Sequence, residues 1–412
     1  MKVCKFGGTS MANAECIKRV RDIIAADEQV AYVVVSAPGK REKSDTKVTD
    51  LLYACFDDVN VGKSPVDAFA PVKERFDSIV KGLELTMDLS DEYIEIENRL
   101  AAGATKDYIA SRGEYLSAIV LAGALGWKFV DAADFVRFDD NGNFLADETN
   151  TYARALFHNV KRAIIPGFYG ATADGEIKTF SRGGSDISGA IVARAVYADI
   201  YENWTDVDGF MKCDPRIVSQ PEVMELITYK ELRELSYMGA SVLHEDAIFP
   251  VRIAGIPINI RNTNAPEDEG TWIKAFTNEK PLHVITGIAG KKGLTAIYIE
   301  KEMMNNQIGF GKVVLEILAE DGIGFEHLPS GIDTMSVIVN TADFEGEKRE
   351  VVLKALRDRL RPDTIKVHDE IALVAVVGRG MVNAAGTAVR VFSALAKQHI
   401  NVRMIDQGSS EL

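Results

Sequence analysis

Met1-Lys-Val-Cys-Lys-Phe-Gly-Gly-Thr-Ser10 opens the chain, and the reading of this stretch decides the fold. Val3, Cys4 and Phe6 form a short apolar run that reads as a buried strand. The paired glycines Gly7 and Gly8 and the hydroxyls of Thr9 and Ser10 follow, and a helical stretch begins at Ala14. A strand that runs into a Gly-Gly turn at a helix start exposes backbone N–H groups, and the helix dipole adds positive potential there. Lys5 contributes a full positive charge. The set reads as a phosphate site, although no G-x-x-x-x-G-K-[ST] pattern is present. The bland alternative is an ordinary strand–turn–helix with a surface lysine.

Outward from this stretch, the first 260 residues alternate strand-like and helix-like segments. Residues 30–35 are an apolar, β-branched run that ends at Ser36-Ala-Pro-Gly39, and residues 106–125 place Ile109, Leu116, Ile119 and Val120 at helical spacing. Residues 163–168, 200–204 and 256–260 read as further buried strands, and residues 186–197 and 229–237 as helices. Such alternation predicts an α/β fold of three layers, a mostly parallel sheet with helices on both faces. Function in these folds gathers at the loops leaving the strands' carboxyl ends. Gly7-Gly8, Ser36, Phe168 and Thr205-Asp206 fall there.

The chain of 412 residues is too long for one core, so two or three domains are expected. Its net charge of −14 argues against non-specific nucleic-acid binding and against an anionic membrane surface. Positive charge for a nucleotide must then be gathered locally. Cys4, Cys16, Cys55 and Cys213 lack C-x-x-C spacing, which suits reduced thiols in a cytosol. Lys5 interrupts any signal-peptide core, and the most apolar stretch, residues 118–127, is too short to span a bilayer. A soluble cytoplasmic protein is expected.

The polar stretch N-T-N-A-P-E-D-E-G, residues 262–270, reads as a change of domain. Expected boundaries are a first domain over 1–265, a linker over 266–290, and two repeat units over 291–370 and 371–412. The repeat has an offset of 77 residues: Met304 falls on Met381, Gly309 on Gly386, Val314 on Val391, Ile323 on Ile400 and Gly331 on Gly408. Matched glycines and apolar phase predict a duplicated β-α-β-β-α-β unit, the second copy stopping at Leu412 about where its third strand is due.

Three further constellations accompany the opening stretch. Ser111-Arg-Gly-Glu114 lies in a helical pattern, Ser181-Arg-Gly-Gly-Ser-Asp186 opens another helix, and Trp204-Thr-Asp-Val-Asp-Gly-Phe-Met-Lys-Cys-Asp-Pro-Arg216 follows. Two glycine-pair turns leading into helices make two opposed anion cradles, one for each reactant of a phosphoryl transfer. Arg182 suits a carboxylate in a bidentate fork. Glu114 suits an ammonium group, and Asp186 suits orienting Lys5 or a magnesium-bound water. Each has a plain reading as well: a solvated glutamate, an N-cap or a turn. Together they describe a pocket for a zwitterionic amino acid beside a polyphosphate.

In this combination and order the four segments closely resemble the aspartokinases of the amino acid kinase family, and the tail repeat resembles their paired, ferredoxin-like α+β ACT domains. The resemblance spans essentially the whole chain. It implies transfer of the γ-phosphoryl group of ATP, with Mg²⁺, to the side-chain carboxylate of L-aspartate, the entry to lysine, threonine and methionine synthesis and to diaminopimelate. It implies that Lys5 and Asp186 are catalytic. By motif position, Lys5, Phe6, Gly7, Gly8, Thr9, Ser10, Thr205, Asp206, Met211, Lys212, Arg216 and Ser241 fall on the nucleotide side. Ser36, Thr49, Glu114, Phe168, Arg182, Gly183, Gly184, Ser185 and Asp186 fall on the substrate side, with Glu114 on the amino group and Arg182 on the α-carboxylate.

The sequence departs from the family pattern in three places. Ser241 stands where many aspartokinases carry the lysine of K-V-L-H, with Lys212 as the alternative cation, and Met211 stands where a tyrosine is common. The family also continues beyond Q-G-S-S-E-L with a strand, a helix and a strand. The ACT resemblance further implies a homo-oligomer and a feedback amino acid, lysine or threonine, held near Met304, Gln307, Gly309, Phe310, Gly311, Phe325 and Glu326. Two alternatives stand beside this reading. One is another amino acid kinase, acting on acetylglutamate, glutamate or UMP, which generally lacks both S-R-G-E and the tail. The other is a catalytically decayed amino-acid sensor, against which the intact Lys5, Glu114, Arg182 and Asp186 argue.

Overall fold

The computed structural model describes residues 1–405 apart from Arg182, residues 240–242, His244, residues 278–279 and Leu282, and apart from the side chains of residues 245–246. Two compact units are present, the first built mainly from residues 1–279 and the second mainly from residues 280–405.

In chain order the first unit runs β1 (Lys2–Phe6), α1 (Ala14–Ala26), β2 (Val30–Val35), α2 (Val48–Asn60), α3 (Pro65–Gly82), α4 (Ser90–Ala101), α5 (Lys106–Leu125), β3 (Lys128–Phe129) and α6 (Ala146–Phe157). It continues with β4 (Ala163–Pro166), β5 (Tyr169–Ala171), β6 (Ile177–Thr179), α7 (Gly184–Ala195), β7 (Ile200–Thr205), β8 (Leu226–Thr228), α8 (Tyr229–Tyr237), α9 (Glu245–Ala254), β9 (Ile258–Asn262) and β10 (Thr271–Lys274). Eight of these strands form one sheet in the order β3-β4-β2-β1-β7-β9-β10-β8. All its pairings are parallel except β9 with β10.

The reason is visible in the strands. Every residue of β2 is buried, as expected for a strand covered on both faces. Helix α5 has the bounds its spacing predicts: the Thr105 hydroxyl accepts from the Tyr108 N–H at its start, and Gly126 closes it at φ +66°. β1 lies between β2 and β7 with Phe6 level with Val35 and Trp204, so three carboxyl ends open on one edge. The chain reverses its direction of sheet growth at β1, where open α/β sheets form their ligand crevice.

The stretch 266–290 does not behave as the linker expected. Its residues Thr271–Lys274 form β10, antiparallel to β9 and parallel to β8, and Gly287 already begins a strand of the second unit. The polar run 262–270 is the hairpin loop between β9 and β10. Arg261 donates to the carbonyls of Pro266 and Asp268, and Gly270 sits at φ +66° with a virtual Cβ 1.9 Å from the Ile260 carbonyl oxygen. Turn chemistry, not a domain boundary, explains the composition.

The second unit contains β11 (Gly287–Glu300), α10 (Phe310–Glu320), β12 (Phe325–His327), β13 (Thr334–Asn340), α11 (Glu347–Leu360), β14 (Thr364–Val377) and α12 (Thr387–Lys397). Its sheet is antiparallel in the order β12-β13-β11-β14, and Ile297, Val314, Val337 and Leu356 lie in its core. Helices α10 and α12 begin and end at residues 77 apart, and Gly309 and Gly386 precede them at φ +85° and +84°. The repeat is therefore structural. Gly287–Lys291 pairs with Leu373–Val377, while the rest of β11 pairs with the first half of β14, so the expected boundaries at 291 and 370 fall within two long strands.

Candidate active site

A cavity of about 430 Å³ opens at the carboxyl ends of β1, β2 and β7, within the first unit. Lys5 reaches it from β1, Asn203 from β7 and Asp186 from the first turn of α7. The Lys5 ammonium lies 2.6 Å from Asp186 Oδ1, and the Asn203 amide donates to the same oxygen at 2.9 Å. Lys5 is only 7 % exposed, and a buried ammonium persists in a fold only when paired. Strand register supplies that geometry, because Lys5 is level with Asn203. The Tyr201 hydroxyl donates to the Asp186 carbonyl at 3.0 Å and fixes the helix start. Gly189 admits the tyrosine, since a Cβ there would stand 2.5 Å from its hydroxyl.

Gly7, Gly8 and Thr9 line the cavity, and the Gly7 N–H donates to the Trp204 carbonyl. Gly8 is hemmed in by the loop after β2: a Cβ there would stand 3.0 Å from the Ala37 carbonyl oxygen. Phe6 and Ser10 turn elsewhere. Phe6 stacks on Trp204 on the buried side of the sheet, and Ser10 shares a hydrogen bond with Thr263 at 2.7 Å.

Ser36, Thr49 and Glu114 line the same cavity. The Ala37 N–H donates to the Glu114 carboxyl, while Glu114 Oε2 is buried without a partner. Burial pushes the Glu114 carboxyl up to about 8, against the smaller opposing pulls of the Ala37 hydrogen bond, Arg112 and Lys5. It is a carboxyl waiting for a cation. Arg112 beside it is enclosed by the rings of Tyr108, Tyr115 and Tyr169, which anchors this part of α5.

Phe168 holds φ +78°, a left-handed conformation rare for a bulky residue, with its N–H on the Ser188 hydroxyl at 3.0 Å. Gly184 makes this possible, since a Cβ there would meet the Phe168 ring at 2.4 Å. Gly167 likewise passes over Ser185, and Gly183 caps α7 at φ +58°. Phe168, Gly183, Gly184 and Ser185 thus form a scaffold around Asp186; none of the four lines the cavity itself.

A profile of the amino acid kinase family matches residues 1–262, and one of the ACT domain matches residues 374–412. Aspartokinase 3 of Bacillus subtilis is 39% identical, over 100% of this chain and 94% of its own length. The chain belongs to the aspartokinase family. The crystal structure of Clostridium acetobutylicum aspartate kinase superposes with a TM-score of 0.89 at 46% identity, covering 100% of this chain and 94% of that one. E. coli aspartokinase III, solved in complex with aspartate and ADP and again with lysine and aspartate, is 25% and 26% identical at TM-scores of 0.73 and 0.72, each over 100% of this chain and 94% of that one. The family accounts for both units, a nucleotide-using kinase unit and an ACT tail.

The remaining nucleotide-side expectations divide. Thr205 lines the cavity and donates to the exposed Asp206 at 3.2 Å. Met211 bridges to Val223 and Lys212 is held by Glu222 at 2.5 Å, so neither reaches the cavity. Arg216 is exposed and does not line it. Arg182 and Ser241 lie outside the described residues. In the second unit Met304 and Phe310 are core, Gly309 caps α10, Gly311 lies in its first turn and Gln307 precedes it. Phe325 is about half exposed, and Glu326 is paired with Lys291.

Sequence reasoning missed Asn203, Lys40 and Lys47, which all line the cavity. Asn203 had a signal: a polar residue inside a buried strand, beside Glu202, must have a partner. The lysines had none, because K-R-E-K-S-D-T-K reads as a solvated charge run.

Proposed function

We propose that this chain transfers the γ-phosphoryl group of ATP to the side-chain carboxylate of L-aspartate, giving 4-phospho-L-aspartate and ADP. One observation carries the reading. The Lys5–Asp186 pair, the Gly7-Gly8 turn and the Glu114 carboxyl, whose Oε2 has no partner, face a single cavity, the first two suited to anionic oxygens and the last to an ammonium.

In this reading Glu114 takes the α-ammonium of aspartate, Arg182 its α-carboxylate, and Ser36 and Thr49 offer hydroxyls to the side chain. A carboxylate oxygen attacks the γ-phosphorus. The bond from phosphorus to the β–γ bridging oxygen breaks, and its electron pair leaves with ADP. The attacking carboxylate is already ionised near pH 7, so no general base is required. Catalysis is alignment plus neutralisation of charge on the moving phosphoryl oxygens. Lys5 supplies that charge, Asp186 aims it, and the Gly7-Gly8 turn, with the Gly7 N–H tied to Trp204, lets the phosphates approach the backbone at Gly8.

The donor set fits a magnesium ion carried by the nucleotide rather than caged by protein. No cluster of three metal-ligating side chains occurs among the described residues, and Asp186, the lining carboxylate paired with Lys5, has its Oδ1 already engaged. When bound with the nucleotide, the ion would neutralise phosphate charge, with Asp186 as its one protein-side carboxylate.

The ACT repeat supports feedback by lysine or threonine and a homo-oligomer joined through it. Lysine is favoured by the E. coli aspartokinase III complex with lysine, whereas Glu326 is already paired with Lys291. Free thiols at all four cysteines are in keeping with the cytoplasm. No helix among the described residues is long and apolar enough to cross a membrane. Incubation with ATP and L-aspartate, trapping the acyl phosphate with hydroxylamine, tests the reading. Phosphoryl transfer to acetylglutamate, glutamate or UMP instead, or to no acceptor, overturns it.

A further inference from the structure

Lys40 and Lys47 belong to the loop between β2 and α2, and both line the cavity. Among the described residues neither side chain has an ion pair or a hydrogen bond, although the loop around them is densely bonded. The bonding converges on one side chain. Arg75, on α3 and 5 % exposed, donates to the Gly39 carbonyl at 3.1 Å, to the Thr46 carbonyl at 3.1 Å and to both Asp45 carboxylate oxygens at 2.9 Å. Gly39 and Thr46 are the residues immediately before Lys40 and Lys47. One buried guanidinium therefore grips the peptide unit that leads into each lysine. The Val48 N–H closes the loop on the Pro38 carbonyl at 3.0 Å, and Arg41 holds Asp45 from outside.

The loop also touches both halves of the site. The Gly39 N–H donates to the Gly8 carbonyl at 2.7 Å, on the phosphate cradle. The Ala37 N–H donates to Glu114, on the acceptor wall. Two exposed lysines with uncommitted side chains thus line the cavity, on a loop whose backbone is held by a buried arginine and bonded to both Gly8 and Glu114. The other charges in the cavity do not oppose this, because Asp186 is engaged by Lys5 and the Glu114 carboxyl is pushed up by burial.

We infer that Lys40 and Lys47 bind the phosphoryl group in transit, and that Arg75 is the positioning residue that stations them. The inference rests on the proposed kinase reading of this cavity. It assigns to this loop a cationic contact that Lys212, held by Glu222, does not make.

The test compares Lys40→Met, Lys47→Met and the double variant with Lys43→Met, an exposed lysine of the same loop outside the cavity lining. All are surface changes and should leave the melting temperature unchanged. The double variant is expected to lose at least about tenfold in kcat and in affinity for a β,γ-imido ATP analogue, while ADP affinity measured by calorimetry changes less than about twofold. Lys43→Met should match the parent. Equal kcat and equal analogue affinity in the double variant overturn the inference, and so does equal weakening of ADP and the analogue. An inactive parent sinks the kinase reading instead, leaving the calorimetric comparison to judge the lysines. Arg75→Lys is predicted to lower kcat in the parent and to add no further loss in the double variant; additive losses would reduce Arg75 to a structural residue.

Discussion

Gly39 and Gly8 meet backbone to backbone: the Gly39 N–H donates to the Gly8 carbonyl at 2.7 Å, and a Cβ on Gly39 would stand 2.7 Å from the Gly8 carbonyl carbon. The atoms in the way are main chain, so they can yield only by moving the cradle. Gly39→Ala should therefore cost about 1–3 kcal/mol of stability, as overpacking does, and lower kcat/KM by at least about tenfold. Urea midpoints and steady-state rates measured together decide it. A stable variant with full activity would show that the cradle does not depend on this approach.

Lys5 has only Asp186 as an ion-pair partner among the described residues, which leaves N–H donors of its ammonium for the transferred group. Lys5→Ala should reduce kcat by at least about a hundredfold with little change in far-UV circular dichroism. Asn203→Leu, which frees Asp186 to turn, is expected to lower kcat by a smaller factor, about three- to tenfold. Near-normal turnover in Lys5→Ala would remove the residue from the mechanism.

The Glu114 carboxyl titrates near 8 in the free protein because burial penalises its charge. An incoming ammonium must find a carboxylate, so binding aspartate at pH 7 should expel a proton. Affinity for aspartate should then rise with pH, by at most tenfold per unit, and level off above about 8. Calorimetry in buffers of different ionisation enthalpy counts that proton, and Glu114→Gln should abolish it. The same shift has a stability signature in the free protein. A carboxyl raised above its unfolded value contributes stability that is fully present below about 4.3 and lost as pH climbs through the folded value. Parent minus Glu114→Gln melting temperatures should fall across that window; a flat difference would mean that Glu114 is already ionised.

Much of this architecture was legible because local and global signals agree. β2 is an unbroken apolar run, and α5 carries its own cap and stop, so their bounds follow from the residues alone. That Gly7, Gly8 and Glu114 share one cavity was legible because glycine pairs and motif order restrict the chemistry. Lys40 and Lys47 were hidden, since only the distant Arg75 turns a charge run into a wall of the site. The run 262–270 misled in the opposite direction: its turn residues serve a hairpin inside the domain rather than a boundary.

The two copies of the repeat offer a controlled comparison. Gly309 and Gly386 precede α10 and α12 at nearly the same left-handed φ, with nothing near enough to obstruct a Cβ at either. Alanine at either position therefore carries the same backbone strain, about 1 kcal/mol. Its consequence should differ, because α10 buries Phe310, Val314, Ile317 and Leu318 whereas α12 buries no residue. Strain at Gly309 has to be borne by the core, so Gly309→Ala should lower the urea midpoint of the second unit. Strain at Gly386 can be relieved by fraying, so Gly386→Ala should leave that midpoint in place and speed amide exchange along residues 387–397. Equal midpoint shifts from the two variants would mean that α12 is coupled to the core as tightly as α10.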